Sequence, residues 1–89
     1  MNFISTSDSK VSANFEEAVF RGLPDATGLY MPEYIPRLPA HFFEELGNQT
    51  LENIAYKVLH PFVAGSINDQ ALMDIVSDTF SFPIPLTPI

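Results

Sequence analysis

The chain of 89 residues contains no cysteine. That absence removes disulfide staples, thiolate nucleophiles and cysteine-ligated metals together. A domain this small without disulfides suits a reducing compartment. Basic residues are scarce: four Lys and Arg stand against eleven acids, a formal charge of −7. Such a surface repels nucleic-acid phosphates and anionic membranes, so neither is an expected partner. The acids are scattered in ones and twos and read as solvated faces. Glycine is also sparse, and its four copies, Gly22, Gly28, Gly47 and Gly65, are isolated. A phosphate-cradling loop needs clustered glycines so that successive N–H groups converge, and none is possible here. Long hydrophobic runs are missing too. No stretch approaches the ~20 apolar residues that span a bilayer. The start, Met1-Asn2-Phe3-Ile4-Ser5, has neither the basic region nor the apolar run of a secretory leader. The cytoplasm is the expected location.

What is present is enough for one domain. Eight Phe and three Tyr supply bulk for a core, although a chain of this size hides only ~60–65% of its unfolded surface. Phe3 to Thr6 can form a short strand, and Ser7 to Ser12 reads as a polar loop. Asn14 stands three residues before Glu17, a capping-box spacing that predicts a helix start. Phe15, Ala18, Val19 and Leu23 fall on one face of that helix, and Gly22 is its expected stop. Between Pro24 and Pro39 four prolines forbid long regular elements. The exception is Gly28-Leu29-Tyr30-Met31, a strand candidate closed by Pro32, which can pair with residues 3–6. Such a pair is marginal unless helices pack on it.

Pro39 suits the first turn of a second helix, with Phe42, Phe43 and Leu46 inward and Gly47 ending it. Thr50 can cap a third, whose apolar positions Leu51, Ile54, Ala55, Val58, Leu59 and Phe62 give the strongest helical pattern in the chain. Pro61 is expected to end or kink it, because it removes the bond to the Lys57 carbonyl. This helix, about 51–62, should be the most buried, with Leu59 in the core. Asn68 can cap a fourth helix, with Ala71, Leu72, Ile75, Val76, Thr79 and Phe80 inward. Residues 82–89 alternate proline with large apolar residues, which excludes a helix and a central strand. The expected class is α+β and mostly helical: about four helices packed with a short two-stranded antiparallel pair.

A search for chemistry is largely negative. His41 and His60 stand on different predicted helices, and neither has a partner at a metal-motif spacing. Glu44 or Glu45 could reach His41 as an ordinary surface pair. No serine or threonine sits in a nucleophile-elbow pattern. Lys10 lies in a polar loop and Lys57 on a polar helix face, so neither is in the desolvated setting a cofactor-binding lysine needs. Glu16-Glu17 and Glu44-Glu45 are adjacent on helices and point apart, which makes them poor acid/base couples. Phe15, Phe42, Phe43, Phe62 and Phe80 sit at core spacing. Phe20, Tyr34 and Tyr56 fall off the inward faces, and either cover the strands or form an outer contact surface. No catalytic, cofactor-binding or metal-ligating residue is expected in this chain.

The ordered motifs are Ser5-Thr6, then Phe15-x-x-Ala18-Val19-x-x-Gly22-Leu23, then Gly28-Leu29-Tyr30-Met31-Pro32-Glu33-x-Ile35-Pro36. Ile54-Ala55-Tyr56-x-Val58-Leu59-x-Pro61-Phe62 and Phe80-x-Phe82-Pro83-x-Pro85-Leu86 follow. This set, with its gaps, resembles the N-terminal domain of threonine synthase in its longer bacterial and fungal form, from Phe3 to Leu86. The chain departs at Pro24-Asp25-Ala26-Thr27-Gly28, where many members carry a double glycine, and at Ser7-Asp8, where some carry Arg-Gly. The resemblance implies a pyridoxal-phosphate lyase that converts O-phospho-L-homoserine and water to L-threonine and phosphate. It also implies that the cofactor lysine and glycine-rich loop lie beyond this domain. Residues 1–81 would then be an accessory domain, and 82–89 a connection toward catalytic domains of the same polypeptide, its expected partners. Pyridoxal phosphate is expected in the full-length enzyme and not on this chain. The competing reading is a free-standing acidic helical interaction module with an apolar tail. A small standalone enzyme is disfavoured by the missing nucleophile and base.

Overall fold

In the computed structural model, which describes residues 1–85, 87 and 88, side-chain caps set three of the four helix starts. For α1 (Phe15–Arg21) the cap is reciprocal. The Glu17 N–H donates to Asn14 Oδ1 at 2.8 Å, and the Asn14 N–H donates to Glu17 Oε1 at 3.2 Å. These bonds satisfy two N–H groups that a helix N-terminus otherwise leaves open. Gly22 ends the helix at φ 74°, a value that costs glycine little. Thr50 caps α3 (Leu51–Val63) through the Asn53 N–H at 3.1 Å, and Asn68 caps α4 (Asp69–Thr79) through the Ala71 N–H at 2.8 Å.

Two expected helix ends differ. The second helix, α2, covers only Ala40–Glu44, and a 3-10 turn at Leu46–Asn48 follows it, so Gly47 lies inside that turn. Glu45, at φ −95° and ψ 3°, has left helical geometry, and the backbone tightens there. Pro61 does not end α3. It stands within the helix, which runs on to Val63. The ring removes a single donor close to the C-terminus, and the Ala64 N–H still reaches the His60 carbonyl at 2.9 Å.

The sheet has three antiparallel strands in the order β2-β1-β3 rather than two. They are β1 (Phe3–Ser5), β2 (Ser12–Ala13) and β3 (Tyr30–Pro32). Ile4 lies between Ser12 and Met31. The stretch read as a loop up to Ser12 turns back at Asp8, whose Oδ1 accepts the Lys10 N–H at 3.0 Å, and its end pairs with β1. Pro32 belongs to β3 instead of closing it, because β3 is an edge strand and its proline owes no ladder bond on the open side.

The core lies between α3 and α4. Val63, Leu72 and Val76 are buried, with Phe15, Ala55, Tyr56, Phe62, Ile67 and Phe80 packed around them. Tyr56, expected off the inward face, is part of this packing. The expectation that α3 is the most buried helix does not hold. Only Val63 of α3 is buried, whereas α4 buries Leu72 and Val76. Leu59 is 42% exposed, and Leu51 and Val58 are similarly open. The apolar stripe of α3 is wide, and α4 is its main partner, so one flank stays in water. Val19, Leu23, Phe43, Leu46 and Ile75, expected inward, are also exposed. Thr79 is exposed as well, and its hydroxyl donates to the Ile75 carbonyl at 2.7 Å. The described tail residues, 82–85, 87 and 88, are exposed; Leu86 and Ile89 of that tail lie outside the described residues.

Candidate functional site

Two constellations stand out. The first is a polar hub that joins β1 to the loop before β3. Oδ2 of Asp25 accepts the hydroxyls of Ser5 and Ser7, each at 2.7 Å, and Oδ1 accepts the Thr27 N–H at 3.0 Å and the Gly28 N–H. The Ser5 and Ser7 bonds, with help from the backbone donors, hold the Asp25 carboxyl down at about 2. Ser5 is buried and Gly28 packs directly on this hub. A Cβ at position 28 would collide with Ser5 Oγ and stand 2.7 Å from Ser7 Oγ. The glycine is therefore required for close approach. The carboxylate is fully engaged in holding the loop, so the hub is architectural. Sequence reading passed over Asp25; the one available signal was its place in the departure from the family's double glycine.

The second constellation is a pocket of about 310 Å³ between the coil before α2, α2 itself and α3. Arg37, His41, Lys57 and His60 line it, together with apolar surface from Phe42, Tyr56 and Pro61. Lys57 Nζ lies 6.0 Å from the Phe42 ring centroid and 3.4 Å from Gln49 Oε1. The Tyr56 and His60 rings are 5.5 Å apart. His60 Nε2 also meets Asp69 Oδ1 of α4 at 2.9 Å. The structure thus brings together the two histidines and Lys57, which the sequence offered singly.

The remaining candidates stay apart. Lys10 is exposed in the β1–β2 turn. Glu17 serves the α1 cap and pairs with Arg21 at 3.3 Å, while Glu16 is exposed beside it. Neither Glu44 nor Glu45 forms an ion pair with His41 among the described residues; the histidine pair is His60 with Asp69. Among the described residues no group of three or more His, Asp or Glu could hold a metal, and no helix is long and apolar enough to cross a membrane.

The exposed apolar side chains are unevenly spread. Phe20 is 84% and Ile35 75% exposed, and Val19 just before them and Leu23, Leu29, Met31 and Tyr34 between them in sequence are also open. The Arg21 guanidinium donates to the Tyr30 hydroxyl at 3.3 Å, which ties the end of α1 to β3 within this stretch.

A family described as threonine synthase N terminus matches residues 2–80. Threonine synthase of Pseudomonas aeruginosa is 35% identical over 80 residues, which cover 90% of this chain and 17% of that protein. Threonine synthase of Schizosaccharomyces pombe is 30% identical over 82 residues, covering 91% of this chain and 16% of that protein. The crystal structure of threonine synthase from Escherichia coli superposes with a TM-score of 0.89 at 25% identity, over 99% of this chain and 21% of that one. The chain thus spans between 16% and 21% of the length of these relatives.

Proposed function

Since the chain belongs to the threonine synthase N-terminus family, we propose that it is the accessory domain of a pyridoxal-phosphate threonine synthase. In this reading the whole enzyme converts O-phospho-L-homoserine and water to L-threonine and phosphate in the cytoplasm. The observation that carries it is the family match, which runs through nearly the whole chain from residue 2 to residue 80. Residues 1–81 are the folded unit, and 82–89 lead toward catalytic domains of the same polypeptide. The open apolar stretch from Val19 to Ile35 supports a docking role. Side chains as large as Phe20 gain from leaving water, about 25 cal/mol for each Å² covered.

The residues of this chain do not fit pyridoxal phosphate. A Schiff-base lysine is held partly desolvated so that its amine can lose its proton. Lys10 and Lys57 are both exposed. The cofactor phosphate calls for convergent N–H donors. Here Gly22, Gly47 and Gly65 stand at separate turns, and the Gly28 N–H is taken by Asp25. The role left to this domain is to pack against the catalytic domains and help enclose their site.

An absorbance titration tests this. Pyridoxal phosphate added to the 89-residue chain should give no saturable aldimine band. A longer polypeptide that carries this chain and a downstream lysine motif should give one, and should release phosphate from O-phosphohomoserine. A saturable band on the short chain, lost on Lys57→Ala, would overturn the reading.

A further inference from the structure

The distribution of positive charge in this acidic chain is uneven. Four Lys and Arg and two His are all its basic side chains, and four of these six line the pocket between α2 and α3. The chain has eleven acids, yet none of them lines that pocket. We propose that this pocket binds a small organic anion: a single phosphate or carboxylate head on an apolar or aromatic body.

Head and body have separate partners. Arg37 and Lys57 are exposed, and Arg37 forms no ion pair among the described residues. Among the described residues the hydrogen-bond partner of Lys57 is Gln49, a neutral group at 3.4 Å, so its charge is not cancelled. An arginine and a lysine lining one pocket match a phosphate or carboxylate, which accepts several charge-assisted bonds. His41 belongs to the same lining. His60 is different, because Asp69 already engages its Nε2 at 2.9 Å. That bond fixes the ring beside Tyr56, and the pair offers aromatic surface. Phe42 and Pro61 complete the apolar wall. A wall of this kind strengthens the attraction of the two cations by keeping water from one side of the ion.

Size narrows the ligand. A volume of about 310 Å³ is at the small end of ligand pockets. One ring or a short chain with one head fits within it. The net charge of −7 works against binding any anion at a random place on this surface. Binding at this basic pocket would therefore be local.

The test is an NMR titration of the 89-residue chain with phenyl phosphate, benzoate, inorganic phosphate and benzyl alcohol. None carries an aldehyde, so the outcome is independent of Schiff-base chemistry and of the accessory-domain reading. Phenyl phosphate or benzoate should shift the ring signals of His41, Tyr56 and His60 saturably, and which of them binds tighter identifies the head group. Inorganic phosphate and benzyl alcohol should each bind at least about tenfold more weakly. The double variant Arg37→Gln/Lys57→Gln should weaken binding by about tenfold or more. Lys10→Gln, a charge removed from an exposed turn, should leave it unchanged. Equal binding of inorganic phosphate, equal binding of benzyl alcohol, or an unaffected double variant would each overturn the proposal, as would shifts confined to residues outside the pocket.

Discussion

The Ser5 hydroxyl donates to Oδ2 of Asp25 at 2.7 Å across twenty positions of sequence. Ser5 is the buried polar residue of the central strand, and Asp25 belongs to the loop that delivers β3. One carboxylate therefore locks the loop to the strand with which its next residues pair. Replacing it removes several bonds at once, because two hydroxyls and two N–H groups share it.

Acid should loosen this loop late. Folding lowers the Asp25 carboxyl from 3.8 to about 2, so the folded state holds fewer protons than the unfolded one. Its contribution is complete above the unfolded value and fades as pH falls through about 2. A carboxyl NMR titration should show a midpoint near 2 for this residue. In Asp25→Asn, acid melts should lose this component of the slope between about pH 4 and 2. A midpoint at the ordinary carboxylate value would contradict the hub.

Gly28→Ala should destabilise the chain by about 1–3 kcal/mol, the usual cost of forcing atoms into a packed site. The new methyl group meets Ser5, Ser7 and Asp25, the last at 2.9 Å. Gly47→Ala is the control, since nothing lies within 4 Å of its Cβ position. Urea denaturation of both variants should separate them; equal midpoints would show that the hub yields freely.

Two leucines should behave oppositely. Leu72 is 3% exposed in the core, and Leu72→Ala should cost about 2–5 kcal/mol. Leu59→Ala, at a half-open position, should cost about 1 kcal/mol or less. Thermal melts that rank the pair the other way would place the core on the wrong flank of α3.

Asn68→Ala should cost about 0.5–2 kcal/mol, because the Ala71 N–H loses its acceptor at the start of α4. Asn68→Asp keeps an acceptor and should stay close to wild type. Chemical denaturation of the two variants is the measurement; equal losses would mean that the cap contributes nothing.

Much of this architecture is local and could be read from the chain. Asn14, Thr50 and Asn68 each bond to an N–H three residues ahead, so sequence spacing alone finds them. The ordered motifs also pointed to the family. Other features depend on distant partners. A two-residue strand at Ser12–Ala13 has no alternation to detect, and it exists because β1 offers it an edge. The exposure of Leu59 follows from how many elements pack on α3, which periodicity does not count. Arg37, His41, Lys57 and His60 look like isolated surface charges until a coil and two helices converge.

The middle position of β1 also has a consequence for the order of events during synthesis. β1 and β2 are both complete once residue 13 is made, but the other neighbour of β1 begins only at residue 30. At ~5–20 residues per second, the ribosome leaves that side of the first strand without its mate for about 1–4 s. An unpaired strand edge invites pairing with other chains. With only three residues in β1, the nascent edge offers a stranger few rungs to hold before β3 arrives to claim it.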